Sequence, residues 1–130
     1  MITIELPLPP RACSGNGSHG HWRIVSTARK QYREECRFLA LAALRDARWE
    51  TPQHVTLALV FGIKGARAVK RYAPRDEANA VYAFKAGIDG LIDAGLAPDD
   101  SGKHLSLGGV SLTSDAGPWV RAVVTTESAP

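Results

Sequence analysis

The chain has 130 residues, 45% of them hydrophobic, with a formal charge of +3. That length and apolar content suit a single domain, residues 1–130, with its own core and leave no room for a second one. No apolar run approaches 18 residues and no charged-then-apolar leader opens the chain, so no membrane span or signal peptide is expected and a cytoplasmic, reducing setting is the default.

Ile2, Ile4 and Leu6 alternate with Thr3 and Glu5, which predicts a half-buried strand closed by Pro7, Pro9 and Pro10. From Arg11 to Ile24 the sequence RACSGNGSHGHWRI is glycine-rich and poor in apolar anchors, and a mobile loop is expected. Ser26 or Thr27 can N-cap a helix whose apolar positions Tyr32, Cys36, Leu39, Ala43 and Ala47 recur at three and four residues, ending near Trp49. Arg29 and Lys30 would then oppose the helix dipole in the first turn; they could contact a phosphate or be ordinary solvated surface.

Val55 to Phe61 is β-branched and apolar enough for a largely buried strand, left through the basic segment GIKGARAVKRYAP as a loop or frayed edge. A second helix is expected from about Asn79 to Ala94, with Val81, Phe84, Ile88, Leu91 and Ile92 on one stripe and Gly95 as its stop. Its other face carries Lys85, Asp89 and Asp93 at spacings of four. Leu105 to Thr113, interrupted by Gly108 and Gly109, and Trp119 to Thr126 read as two strands joined in a C-terminal hairpin. The order β-α-β-α-β-β predicts an α/β (α+β) fold: a mixed sheet with two main helices packed on it. Cys13 and Cys36 fall in a loop and on a helix stripe, so no disulfide is expected.

Charge is segregated along this framework. Residues 51–75 hold five basic side chains (Lys64, Arg67, Lys70, Arg71, Arg75) and no acid, whereas residues 75–100 hold six of the thirteen acids. A basic run that attracts a polyanion, leading into carboxylates able to hold a divalent cation, suits a metal-dependent nuclease. Asp76, Glu77, Asp99 and Asp100 are candidates for a Mg²⁺ site, since that ion takes a few carboxylates plus water and phosphate oxygens. The plainer alternatives are acids at a helix N-terminus and a solvated turn. Lys85 could neutralise a scissile phosphate or orient a water, or simply pair with Asp89 one turn on. His19, His21 and Cys13 offer one short H-x-H without a partner pair, so zinc is not expected, although the histidines could touch DNA. Serine-hydrolase, P-loop and dinucleotide fingerprints are missing.

Two sets of residues resemble the RusA-type Holliday junction resolvases, small dimeric endonucleases. LPLPP, a polar loop with Asn16, and STARKQYREE are similar to that family's strand, proline turn, asparagine loop and first helix. D-x-x-N, K-x-x-x-D-x-L-x-x-A-G and a terminal D-D follow at Asp76, Asn79, Lys85, Asp89, Leu91, Ala94, Gly95, Asp99 and Asp100. The resemblance spans roughly residues 2 to 101. It implies Mg²⁺-dependent cleavage of branched DNA by a homodimer, in recombination and repair. Asp76, Lys85 and Asp100 would be the catalytic residues and Asp76, Asp100 and Glu77 the metal ligands. Asn16, Arg29, Lys30, Asn79 and the basic run would be the DNA contacts. The family's D-x-D-N pattern has Ala78 at its second aspartate here, with Glu77 the nearest substitute, and the gap from Asn79 to Lys85 is about three residues longer. Hence the alternatives of a catalytically impaired branched-DNA-binding protein and of an interaction protein whose acids are mere surface.

One geometric question accompanies the resemblance. Sixteen helical residues span about 24 Å, which sets Asp76 and Asp100 at opposite ends of the second helix, and the six residues after Ala94 reach back at most about 20 Å. The chain must double back, the helix must be shorter than its pattern, or a partner subunit must supply one carboxylate.

Overall fold

The computed structural model describes residues 1–13, 22–63, 77–114 and 117–126. In chain order it contains β1 (Ile2–Leu6), a short 3-10 turn (Arg11–Cys13), α1 (Trp22–Asp46), β2 (Val55–Gly62), α2 (Glu77–Ala83), α3 (Lys85–Asp93), β3 (Leu105–Thr113) and β4 (Trp119–Thr126). The fold is α+β, with a four-stranded mixed sheet in the order β1-β4-β2-β3. β4 lies antiparallel to both β1 and β2, and β3 parallel to β2.

Period-two alternation makes the sheet two-faced. Ile4 and Leu6, Val55, Leu57, Leu59 and Phe61, and Val120, Ala122 and Val124 are buried. They form one core with Tyr32, Cys36, Ala40 and Leu44 of α1 and Ile88 and Leu91 of α3. The alternate residues Thr3, Glu5, Arg121 and Thr125 face solvent. Phe84, fully buried between α2 and α3, meets Tyr32 and Phe61 edge-on with ring centroids 6.2 and 5.9 Å away, joining helix layer to sheet. Tyr32 also donates its hydroxyl to Pro7 O at 2.6 Å, tying α1 to the turn after β1.

Four expectations are corrected. β3 and β4 do not form a hairpin, because β2 lies between them. The chain leaves β3 at one side of β2 and enters β4 at the other, and Ile63 N–H bonds to Thr113 O where it crosses. The parallel β2–β3 pair is joined through α2 and α3, the helical crossover that parallel strands require. Second, the supposed loop from Arg11 to Ile24 is structured at both described ends, since Arg11–Cys13 form the 3-10 turn and α1 already starts at Trp22. Ser26 and Thr27 therefore sit inside α1 rather than at its cap, and Arg29 and Lys30 in its third turn.

Third, α1 buries the strict four-residue row Tyr32, Cys36, Ala40 and Leu44, leaving Leu39 37% exposed and Ala47 exposed; nearest-neighbour packing on the sheet selects one row of a broader stripe. Fourth, the second helix is two helices. Phe84, at φ −88° and ψ 1°, is not helical, although its N–H still bonds to Ala80 O at 3.0 Å. Its ring fills the space beside Gly87, where an added Cβ would overlap it. Burial of that ring between Tyr32 and Phe61 offsets the interruption.

Gly90 marks the closest approach of α3 to α1: an added Cβ would stand 2.5 Å from Arg33 O and 2.9 Å from Cys36 Cβ. Helix propensity favours alanine over glycine by about 1 kcal/mol, so an unhindered Gly90→Ala would stabilise the protein. Here the helices must separate, and a net loss of about 1–3 kcal/mol is expected in urea denaturation. Gly102→Ala, which meets nothing within 4 Å, should stay within about 0.5 kcal/mol of wild type.

Candidate active site

The residues that gather are Lys85, Asp89 and Asp100. α3 ends in a glycine-based reversal: Gly95, at φ +99°, sends its N–H to Ile92 O, and Leu96 N–H returns to Leu91 O at 3.1 Å. This is a Schellman closure, with buried Leu96 against buried Leu91 as its apolar contact. Two side chains from the α1–β2 connection grip the turn from outside. Trp49 Nε1 donates to Leu96 O at 3.1 Å, and Thr51 Oγ1 donates to Gly95 O at 2.8 Å. Residues 96–100 then run back along α3, so that Asp100, fifteen positions after Lys85, meets it at the start of that helix.

Lys85 Nζ donates to Asp100 Oδ2 at 2.5 Å and to Asp89 Oδ1 at 3.2 Å. Two of the three geometric options are seen among the described residues, a divided helix and a chain that doubles back; Asp76, the other end of the question, lies outside them. The partner-subunit option is not needed to bring Asp100 to Lys85. The hydrogen bond from Lys85, then its charge, holds the Asp100 carboxyl below its ordinary range, and the same bond raises Lys85. Asp99 turns away; its Oδ1 accepts the Ser101 N–H at 2.8 Å, the local turn that the sequence also allowed.

Lys85 and Asp89 also line a groove of about 650 Å³ between α1 and the α2–α3 pair. The α1 wall supplies Trp22, Arg29, Lys30 and Arg33, and the opposite wall Tyr82, Lys85 and Asp89. Four cations and one carboxylate therefore face the groove. Arg29 donates to Tyr82 Oη at 3.1 Å across it. Arg33 makes a two-pronged bond to Asp93, at 2.6 and 2.9 Å, which lowers that carboxyl and fixes α1 to α3. Trp22, Arg33 and Tyr82 are the aromatic and charged lining residues that sequence reasoning did not single out. The spacing Trp22, Ser26, Arg29, Arg33 is one helical row and carried the signal for two of them.

Other expected site residues stand apart or lie outside the described residues. Glu77 is exposed at the first position of α2 and takes no part in the Lys85 cluster; Asn79 is half-buried one turn into the same helix. Ala78, beside them, is exposed, so no carboxylate projects from that position. Asp76, Asn16, Lys64, Arg67, Lys70, Arg71 and Arg75, with His19 and His21, fall outside the described residues. Cys13 and Cys36 are free and buried, the Cys36 thiol pushed up to about 12 by that burial, which removes both as ready nucleophiles.

The donor chemistry suits Mg²⁺ in type but is incomplete in number. Asp89 and Asp100 present hard oxygens that converge on one cationic centre, now the Lys85 ammonium. Among the described residues no three His, Cys, Asp or Glu side chains gather as a ligand set. Among them, too, no helix is long and apolar enough to cross a membrane. The chain matches no protein-family model, and no curated protein matches it.

The pair has a pH signature. Asp100 is lowered, so its contribution is present above the ordinary carboxyl range and lost as pH falls through the depressed value. Lys85 is raised, so its contribution persists through the ordinary lysine range and is lost only as pH rises beyond it. A carbon-detected NMR titration should find the Asp100 midpoint below the ordinary 3.8, and Lys85→Gln should move it upward. An Asp100 midpoint indifferent to that substitution would contradict the pairing.

Proposed function

We propose that the protein is a Mg²⁺-dependent endodeoxyribonuclease of RusA type that binds branched DNA such as a Holliday junction and cleaves it as a homodimer in the cytoplasm, serving recombination and repair. The observation that carries this reading is the meeting of Lys85 with Asp100 at 2.5 Å beside a groove walled by Arg29, Lys30 and Arg33. A polyanionic strand is attracted by the cations and held with its backbone across the Lys85 end. There Lys85, kept charged by Asp100, offers a fixed positive point to a phosphate oxygen. Asp100 and Asp89 restrain the ammonium and, with Asp76, are the oxygens that would hold the metal. When bound, the metal supplies an activated water and stabilisation of charge developing on the phosphate. A two-fold homodimer would offer two such centres to two strands.

A second reading has its own support. Ala78 puts a methyl group on the exposed first turn of α2 where the resembled pattern has a carboxylate. A chain short of one ligand would bind branched DNA without cutting it. The two readings part in one assay: a synthetic four-way junction incubated with the protein and Mg²⁺. Paired nicks at symmetry-related positions favour the nuclease, and retention of intact junction in a bound complex favours the binding protein.

For the nuclease, Asp76→Asn and Asp100→Asn should each reduce cleavage by at least about a hundredfold, while junction affinity changes only a few-fold. If affinity fell in parallel with cleavage, Asp100 would be a folding residue instead. Replacing Arg29 and Lys30 by Gln should weaken binding to every DNA sequence alike and lower the salt slope by about one for each phosphate no longer neutralised. An unchanged slope would remove these residues from the interface.

A further inference from the structure

We infer that the groove between α1 and the α2–α3 pair takes an unstacked nucleobase of a DNA strand, with Trp22 and Tyr82 as its stacking faces and Arg29 and Lys30 on the adjoining phosphates. Large aromatic rings are normally spent in the core, yet Trp22 is 69% and Tyr82 53% exposed, and both line this one groove. Tyr82 is oriented rather than loose. The Arg29 guanidinium donates to its hydroxyl at 3.1 Å and lies 5.6 Å from its ring centroid. Arg23 lies 5.7 Å from the Trp22 ring in the same manner.

Two features of the groove select the ligand when taken together. Arg33 is taken up by Asp93 and Lys85 by Asp89 and Asp100, which leaves Arg29 and Lys30 to call for an anion, and a neutral apolar ligand does not provide one. Exposed rings call for a flat π-face, which an intact duplex keeps inside its stack. An unpaired nucleotide supplies both, and stacking on aromatic rings tolerates any base. The volume of about 650 Å³ lies within the range of roughly 300–1,000 Å³ usual for small-ligand sites. Aromatic and arginine side chains also mark protein interfaces, but lysine is depleted there, and Lys30 and Lys85 both line this groove. The inference rests on the reading of the groove as a DNA site and adds that the strand bound there is unpaired, as at a branch point.

Fluorescence anisotropy without divalent metal tests it, using an eight-nucleotide oligothymidine and an oligonucleotide of equal length and charge whose central positions are abasic. Wild type should bind the base-bearing strand about tenfold more tightly. Tyr82→Ala should bring that strand's affinity down to the abasic level, and Tyr82→Phe should keep most of the preference. Equal wild-type affinity for the two strands overturns the stacking proposal while leaving a phosphate-binding groove. A Tyr82→Ala variant that loses affinity for both by the same factor also overturns it. Failure to bind either strand at low salt overturns the inference and the DNA reading together and leaves a protein partner for this face.

Discussion

The closeness of α3 to α1 governs the rest of the molecule. At Gly90 the two helices approach until only hydrogen fits between the backbones, with Arg33 O and Cys36 Cβ on the other side. Phe84 fills the next space along, between Tyr32 of α1 and Phe61 of the sheet. Close-packed interiors tolerate little change in volume, so these contacts fix the spacing and the register of the helix pair. The Arg33–Asp93 bond holds the same register at the surface. Where the chain is not pressed together, between Trp22–Arg33 and Tyr82–Asp89, the helices leave the groove.

The site inherits its geometry from that packing. Because α3 is held against α1, the reversal at Gly95 lies within reach of Trp49 and Thr51, whose side chains bond its carbonyls. That grip turns residues 96–100 back along the helix and presents Asp100 to Lys85. On a half-exposed surface such a pair adds little stability, because solvent screens it and two long side chains lose freedom. Its effect is positional: it holds the ammonium between two carboxylates at the edge of a groove lined by arginines and lysine. Tyr82 and Lys85, three residues apart, stay on the same wall across the break at Phe84 although they belong to separate helices.

Much of the fold was legible in the residues. Alternation placed β1, β-branched apolar content placed β2, the bounds of β3 and β4 were legible as they stand, and Gly95 was recognisable as a helix stop. The strand order was not, because sequential strands usually pair, and nothing local in Leu105–Thr113 says that β2 will lie between it and β4. Ser26 and Thr27 are good capping residues, yet the helix starts at Trp22, four residues earlier. The apolar stripe Val81, Phe84, Ile88, Leu91 runs unbroken through a real helix break, because Phe84 keeps facing the core on either side of it. For the site, Lys85 and Asp100 were candidates by type, spacing and resemblance and Asp89 the acid that pairs with Lys85 one turn on, whereas Asp76 lies outside the described residues. The meeting of Lys85 with Asp100 depends on Trp49 and Thr51, which lie more than forty residues before the Gly95–Leu96 turn that they bond.

The proposed nuclease requires Lys85, Asp89 and Asp100 to form a metal-responsive centre rather than a surface ion cluster. Substituting Mn²⁺ for Mg²⁺ makes the site visible to NMR, because the paramagnetic ion broadens resonances only near where it binds. If the centre is real, sub-stoichiometric Mn²⁺ should selectively broaden the side-chain signals of Asp89 and Asp100 and the backbone amides around Lys85, and excess Mg²⁺ should restore them. Weak, uniform broadening over all exposed acids, including Asp46 and Glu50 far along the chain, would contradict it.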